Sequence, residues 1–132
     1  MEAYIVRTEI TKDKVFDYGK MRNDCLYIVF QFGKNRFEMP KKYFRVNMGH
    51  DDSLPFQAIL YRNKKPFAKC YNDGWGGPTT IEPIDKANRE LYNKIDNELK
   101  DYEYIDSKYH YTSKWSIEMI VNIIADDMAR IA

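Results

Sequence analysis

The chain has 132 residues, a length that fits one domain able to bury a core without disulfide or metal staples. Its 21 Lys and Arg against 20 Asp and Glu give a formal net charge of +1. This balance argues against a strongly basic binder of bulk nucleic acid and against an acidic DNA mimic. The two Cys and two His exclude a disulfide framework or a Cys/His zinc site as the organising feature.

We expect no secretory or membrane signal in this chain. The N-terminal stretch contains Glu2 and no long apolar run, and the most apolar segment, residues 115–124, is interrupted by polar residues and too short to span a bilayer. We therefore expect a cytoplasmic protein with reduced thiols and no membrane partner.

Residues 1–72 are dominated by strand patterns. Residues 26–32 alternate, which predicts Leu26, Ile28, Phe30 and Phe32 on one face of a strand. Turn residues follow at 33–35 and 63–66. Strand patterns occur in six segments, at residues 3–7, 26–32, 36–39, 43–46, 57–62 and 67–71, and together they predict an antiparallel meander of four or five strands.

Residues 83–101 are predicted to form the first helix, because Ala87, Leu91, Ile95 and Leu99 recur at helical spacing. Pro83 suits the first helical position, with Thr80 or Glu82 as the capping residue.

Residues 114–131 are predicted to form a second helix with a wide apolar face. Met119, Ile120, Ile123 and Ile124 are expected to be buried against the sheet. The polar residues recur every four positions and are expected to form a solvent stripe of Glu118, Asn122, Asp126 and Arg130. Strands followed by helices predict a single α+β domain over residues 1–132, with both helices packed on one face of the sheet.

The most distinctive motif is Asn-Asp-Gly-Trp-Gly-Gly-Pro-Thr-Thr at residues 72–80, hereafter the Gly loop. Its glycines allow positive φ angles, at which successive N–H groups can converge on an anion, and Gly74 or Gly76 is expected to adopt one. Trp75 can stack on a base or sugar. The candidate ligand-binding residues are Lys69, Tyr71, Asn72, Asp73, Gly74, Trp75, Gly76, Gly77, Thr79 and Thr80.

The same loop also has the composition of a purely structural turn. Asn-Asp-Gly is a turn signal, Glu82 and Asp85 would repel a phosphate at the helix start, and the spacing matches no established phosphate-binding loop. The exposure of Trp75 separates the two interpretations, since a structural turn would bury it as a plug.

Residues 102–111 hold four Tyr and His110, and amphipathic rings of this kind are common at protein interfaces. An edge strand or an ordered loop fits the same pattern. The candidate partner-binding residues are Tyr102, Tyr104, Tyr109, His110 and Tyr111.

Few residues suggest catalysis. His50, Asp51 and Asp52 lie together and can bind a metal or exchange protons, but no further ligands follow at a recognisable spacing. Cys70 is expected to be a small buried residue, and neither it nor Cys25 has an identifiable base. We expect no catalytic residue, cofactor or metal; the alternative is a small metal-dependent hydrolase or nuclease that uses residues 50–52.

Residues 61–70 and 72–77 resemble small uncharacterised proteins of bacteriophages and prophages. In those proteins an R-N-G-K hairpin leads into an N-D-G-x-G-G loop, and an apolar-rich helix closes the chain. The loop is intact here, whereas Lys64 replaces the glycine of the hairpin. The resemblance implies a phage-derived accessory protein in the host cytoplasm and no established activity. By analogy with other small phage accessory proteins, such a protein would counter host defences by binding a defence protein or by sequestering a nucleotide signal.

The sequence therefore predicts a non-enzymatic binding protein. Its partner is a host protein, held by the Tyr-rich segment, or a nucleotide-like ligand, held by the Gly loop. Self-association into a homo-oligomer stays open at this point.

Overall fold

One large sheet carries most of the alternating sequence. The computed structural model describes residues 5–20, 27–47 and 55–129. Seven strands of these ranges form the sheet, namely β1 (Ile5–Glu9), β2 (Tyr27–Phe32), β3 (Asn35–Glu38), β4 (Arg45–Val46), β5 (Phe56–Arg62), β6 (Lys65–Asn72) and β7 (Thr80–Pro83). Their order is β1-β2-β3-β5-β6-β7, and the short β4 pairs with β5 beside β3.

The remaining described elements are two helices and a small hairpin. Helix α1 spans Lys86–Leu99 and helix α2 spans Ile117–Ala129, while β8 (Glu103–Asp106) and β9 (Tyr111–Lys114) form a separate two-stranded sheet. The predicted α+β class is confirmed. The described strands outnumber the four or five predicted, because β7, β8 and β9 lie in the half of the chain that was expected to be helical.

The predicted turn between β5 and β6 is confirmed as a tight hairpin. Asn63 and Lys64 form it with φ angles of +50° and +67°. Two successive positive φ angles match the right-handed twist of the flanking strands. Lys64 therefore adopts a left-handed backbone conformation of the kind that favours glycine.

The sheet is mixed, which corrects the expected antiparallel meander. Strand β1 pairs with β2 in parallel, from Ile5 opposite Tyr27 to Glu9 opposite Gln31. Local alternation indicates that residues are extended but carries no information on strand direction, so the sequence pattern could not show this pairing.

Helix α1 begins later than predicted. Residues 80–83 pair with β6 instead of entering the helix, so Pro83 is not the first helical residue and neither Thr80 nor Glu82 is its cap. Asp85 is the N-cap, and its carboxylate accepts a hydrogen bond from the Asn88 N–H at 2.8 Å. Helix α2 likewise begins after Lys114, which belongs to β9.

Both helices contribute to one core on the inner face of the sheet. Ile120, Ile123 and Ile124 are buried as predicted, and Met119 is half-buried against the same cluster. Trp115 is 2% exposed, and its ring centroid lies 5.2 Å from that of Phe30.

The small hairpin is attached to the sheet through residues 16–19. The Ile105 N–H donates to the Phe16 carbonyl at 2.9 Å, and the Ser107 N–H donates to the Asp17 carboxylate at 3.0 Å, which lowers the pKa of Asp17. A side chain at Gly19 would place its Cβ 2.6 Å from the backbone nitrogen of Lys108. Glycine is therefore required for this close approach.

None of the helices in the described residues is long and apolar enough to cross a membrane.

Candidate ligand site

The Gly loop has the predicted backbone conformation. Gly74 and Gly76 adopt φ angles of +85° and +86°. The Gly74 N–H donates to the side-chain oxygen of Asn72 at 2.8 Å, and the Trp75 N–H donates to the Asp73 carboxylate at 3.0 Å. These two N–H groups of the predicted anion nest are therefore bonded to side chains of the loop itself.

The C-terminal part of the Gly loop is fastened to helix α2. Thr79 donates through its N–H to Glu118 at 3.0 Å and through its hydroxyl to Asn122 at 2.5 Å. The Asn72 amide donates to the Thr79 hydroxyl and to the Gly77 carbonyl, each at 3.2 Å. These bonds hold the loop in one conformation.

The helix stripe that was expected to face solvent is instead half-buried. Glu118 and Asn122 hold Thr79, and Asp126 accepts a hydrogen bond from the Tyr18 hydroxyl at 2.6 Å. Arg130 lies outside the described residues. The spacing of polar residues predicted the helical face correctly, but it could not show that the Gly loop covers that face.

Trp75 projects from the Gly loop with 68% of its surface exposed. The alternative in which it is buried as a plug between sheet and helix is therefore wrong. Its contact with a ligand stays a prediction.

The outer face of the sheet brings other residues together in a row. Arg45 lies opposite Gln57, Gln57 opposite Tyr71, and Tyr71 opposite Thr80. Directly paired residues point to the same face, with Cβ atoms about 5 Å apart. The neighbouring row places Lys69 between Ile59 and Glu82.

These rows form the floor of an open groove of about 520 Å³, hereafter the outer groove. Its lining includes the cations of Lys42, Arg45 and Lys69, the rings of Tyr43 and Tyr71, and the carboxylate of Asp73. The ionisable cations and carboxylates of the lining therefore sum to a net charge of +2, from three positive groups and one negative group.

Aromatic contacts position the outer wall of this groove. Residues 41–43 form a 3₁₀ turn before β4, and Phe44 stacks on the buried Phe56 with ring centroids 5.9 Å apart. On the opposite wall the Tyr71 hydroxyl donates to the Glu82 carboxylate at 3.3 Å. The side chain of Tyr71 is thus held in place by a contact within the protein.

The predicted ligand residues do not all lie in one cavity. Lys69, Tyr71, Asn72 and Asp73 line the outer groove. Gly77 and Thr79 line a smaller cavity of about 290 Å³ against α2, to which Asn72 also contributes. Of the other predicted residues, Thr80 lies beside Tyr71 on the outer face, and Gly74, Trp75 and Gly76 form the tip of the loop.

Sequence reasoning missed the groove residues that come from the turn at 41–43, from β4 and from β5. Lys42 belongs to a basic pair that has the composition of a solvated turn, and Tyr43 and Arg45 lie in a short strand pattern without a functional signal. The alternation of Gln57 and Ile59 with buried residues was the available signal for an outer face. It did not reveal that β4 folds beside them.

The Tyr-rich segment is also divided. Tyr104 belongs to the core, with its ring centroid 5.1 Å from that of Trp115. Tyr109 and Tyr111 are exposed, and His110 between them adopts a φ of +57°. Tyr102 is half-buried at the other end of the segment. These residues therefore do not form one continuous patch, and their contact with a partner stays a prediction.

The residues considered for metal chemistry, His50, Asp51 and Asp52, lie outside the described residues. Within residues 5–20, 27–47 and 55–129 no group of three His, Cys, Asp or Glu is placed to hold a metal ion. Cys70 is buried as predicted, and desolvation raises the pKa of its thiol to about 12.

The fold and the outer groove define an α+β protein with a cationic, tyrosine-lined cleft on the open face of a mixed sheet. Comparison with protein-family models, with curated proteins and with solved structures gave no match for this chain.

Proposed function

We propose that this chain is a non-enzymatic binding protein that holds a nucleotide-like, phosphate-bearing ligand in the outer groove. The observation that carries the proposal is the joint presence of three cations and two tyrosine rings in one cleft of about 520 Å³. Pockets for small ligands occupy roughly 300–1,000 Å³.

The chemistry of the lining matches the two parts of a nucleotide. Lys42, Arg45 and Lys69 supply positive charge for phosphate oxygens, and an arginine guanidinium can bind two of them at once. The ring of Tyr71 and the face of Tyr43 that is not stacked on Tyr61 can stack on a base, which contributes about 1–3 kcal/mol per stacked base.

The resemblance of residues 61–77 to phage proteins supplies the biological context of the proposal. A phage accessory protein with such a groove would act in the host cytoplasm by sequestering a nucleotide signal, and would thereby counter a host defence. Sequestration requires tight binding without turnover, which is why the proposal is for a binding protein rather than an enzyme.

The test is calorimetric titration of the full chain with a panel of linear, cyclic and dinucleotide compounds. We expect at least one to bind, with an affinity that falls as salt concentration rises, because exposed cations act through a screened field. Lys69→Ala and Tyr71→Ala should weaken binding, whereas Lys65→Ala and Tyr109→Ala, which alter exposed residues outside the groove, should not. The proposal would be refuted if no compound gave a measurable heat of binding. It would also be refuted if the groove variants and the control variants lowered the affinity equally.

The same samples test the alternative of a metal-dependent hydrolase or nuclease. Incubation of the bound nucleotide with the protein and Mg²⁺ or Mn²⁺, followed by chromatography, should recover the nucleotide intact. If the nucleotide is cleaved, and the cleavage is lost in a His50→Ala variant, the protein is an enzyme and the proposal of a binding protein is wrong.

A further inference from the structure

A second groove, of about 700 Å³, lies between helix α1 and the turn that joins β2 to β3. None of its lining residues belongs to the outer groove. It is therefore a separate feature of the described surface, and an inference drawn from it does not depend on the proposed nucleotide site.

The rim of the second groove is strongly cationic. Lys12, Lys34, Lys94 and Arg62 line it, against the single carboxylate of Glu98. Arg62 is half-buried, and its Nε–H donates to the Asn35 side-chain oxygen at 2.7 Å. This bond fixes the guanidinium at the groove, whereas the three lysines are exposed.

The floor of the second groove is apolar. Ile10, Phe32 and Ile95 are buried at its base, and Leu91 and Tyr102 are half-buried beside them. The Tyr102 ring packs edge-on against Phe32, with centroids 5.0 Å apart and planes inclined by 82°.

Tyr102 also connects the floor with the rim. The Lys12 ammonium lies 5.2 Å from the centre of the Tyr102 ring, a cation–π distance. Positive charge therefore surrounds an apolar surface that is partly accessible to solvent.

We propose that the second groove binds an acidic segment of a partner protein that carries at least one apolar side chain. Carboxylates of such a segment pair with the lysines and Arg62 at the rim, and its apolar side chain covers Leu91 and Tyr102 on the floor. This arrangement follows the common anatomy of interfaces, in which an apolar centre is surrounded by polar and charged contacts.

A compact polyphosphate matches the charges and the apolar floor of this groove less well than an acidic peptide does. Phosphate groups would pair with the rim but leave the apolar floor in water, and Glu98 would repel a dense negative charge. Carboxylates spaced along a peptide can reach the cations while avoiding Glu98. In this interface Tyr102, one of the tyrosines predicted to contact a partner, lies on the floor of the second groove.

The test begins with selection of binders to the full chain from a random twelve-residue peptide library. We expect enriched sequences to contain an excess of Asp and Glu around one or more apolar residues. Fluorescence anisotropy of a labelled enriched peptide then gives its affinity. Lys34→Glu combined with Lys94→Glu should weaken binding by at least about tenfold, because charge reversal at a complementary interface turns attraction into repulsion.

Matched controls make the result specific to the groove. Lys86→Glu combined with Lys108→Glu changes the same net charge at exposed lysines outside the groove and should alter the affinity by less than about twofold, a residual long-range effect. The groove variant alters exposed side chains, so its melting temperature should stay close to that of the unmodified chain.

Three results would overturn the proposal. In the first, the enriched peptides show no excess of Asp and Glu. In the second, the groove variant and the control variant lose the same affinity for the peptide. In the third, inorganic tripolyphosphate binds as tightly as the peptide. Peptide binding should persist in Tyr71→Ala, so this experiment can fail or succeed independently of the nucleotide titration.

Discussion

The ring of Tyr43 stacks on the ring of Tyr61, with centroids 6.0 Å apart and planes inclined by 20°. Tyr61 belongs to β5, whereas Tyr43 ends the 3₁₀ turn before β4. The interaction with the Tyr43 side chain raises the pKa of the Tyr61 hydroxyl. The segment that carries Lys42 and Arg45 is thereby held beside the sheet, so a residue outside the lining of the outer groove positions its cations.

This contact predicts an indirect effect on ligand binding. Tyr61→Ala removes the stacking partner of Tyr43, and aromatic pairs contribute about 0.5–1.5 kcal/mol, so nucleotide affinity should fall by roughly two- to tenfold. Tyr61→Phe keeps the ring and should retain most of the affinity. Calorimetric titration checks both variants. Equal losses in the two would show that the hydroxyl, not the stacked ring, is the important group.

The two Trp residues of the chain should be distinguishable by fluorescence, because Trp75 is 68% exposed and Trp115 is 2% exposed. Trp75→Phe leaves Trp115 as the emitter, with emission shifted to short wavelength and protected from acrylamide. Trp115→Phe leaves a strongly quenched emitter at long wavelength. Trp75→Ala should change the free energy of unfolding by less than about 0.5 kcal/mol. A large loss of stability in this variant would contradict the exposed position.

Helix α2 should contribute strongly to stability through its buried isoleucines. Ile120 is fully buried, so Ile120→Ala should lower the free energy of unfolding by roughly 2–5 kcal/mol through lost burial and a residual cavity. Ile84→Ala is the matched control, since Ile84 is 45% exposed. Urea unfolding measures both. A similar cost at the two positions would show that α2 does not pack as described.

The hydrogen bonds of Thr79 predict a stability effect in the Gly loop. Thr79→Val keeps the shape of the side chain but deprives Asn122 and Asn72 of a buried partner, which should cost about 1–3 kcal/mol. Thr80→Val on the outer face is the control and should cost clearly less. Thermal or urea unfolding distinguishes them. An unchanged stability of Thr79→Val would mean that the loop is not fastened to α2.

Stability should decrease in alkaline solution. Burial raises the pKa of the Cys70 thiol from 9.0 to about 12 and that of the Tyr92 hydroxyl from 10.0 to about 12. The folded state favours both neutral forms, so the unfolded chain loses these protons at lower pH. The free energy of unfolding is then highest below pH 9 and falls as pH rises towards 12, by up to about 1.4 kcal/mol per pH unit for Cys70.

Two variants assign this alkaline slope in urea unfolding at a series of pH values. Cys70→Ala should flatten the decline from pH 9 upwards. Tyr92→Phe should flatten it from pH 10 upwards and by less, because its ring is only half-buried. Parallel curves for the variants and the unmodified chain would contradict the assignment.

The local features of this protein could be predicted from its amino-acid sequence. The apolar spacing of residues 117–129 defined a helix that buries Ile120 and Ile123, and the alternation of residues 27–32 defined a strand. The turn at Asn63-Lys64 followed from the short connection between two strand patterns, and the turn at Gly74 followed from residue types that tolerate positive φ angles. Each of these depends on interactions between residues close in the chain, so a local pattern suffices to predict it.

The way in which these elements assemble could not be predicted from local patterns. The parallel pairing of β1 with β2, the extension of residues 80–83 along β6, and the placement of β4 beside β5 join segments whose partners no local pattern specifies. The outer groove exists because Arg45 and Tyr71 both lie opposite Gln57. Strand register is set by long-range hydrogen bonding and by burial of one face of the sheet, and these depend on the whole chain.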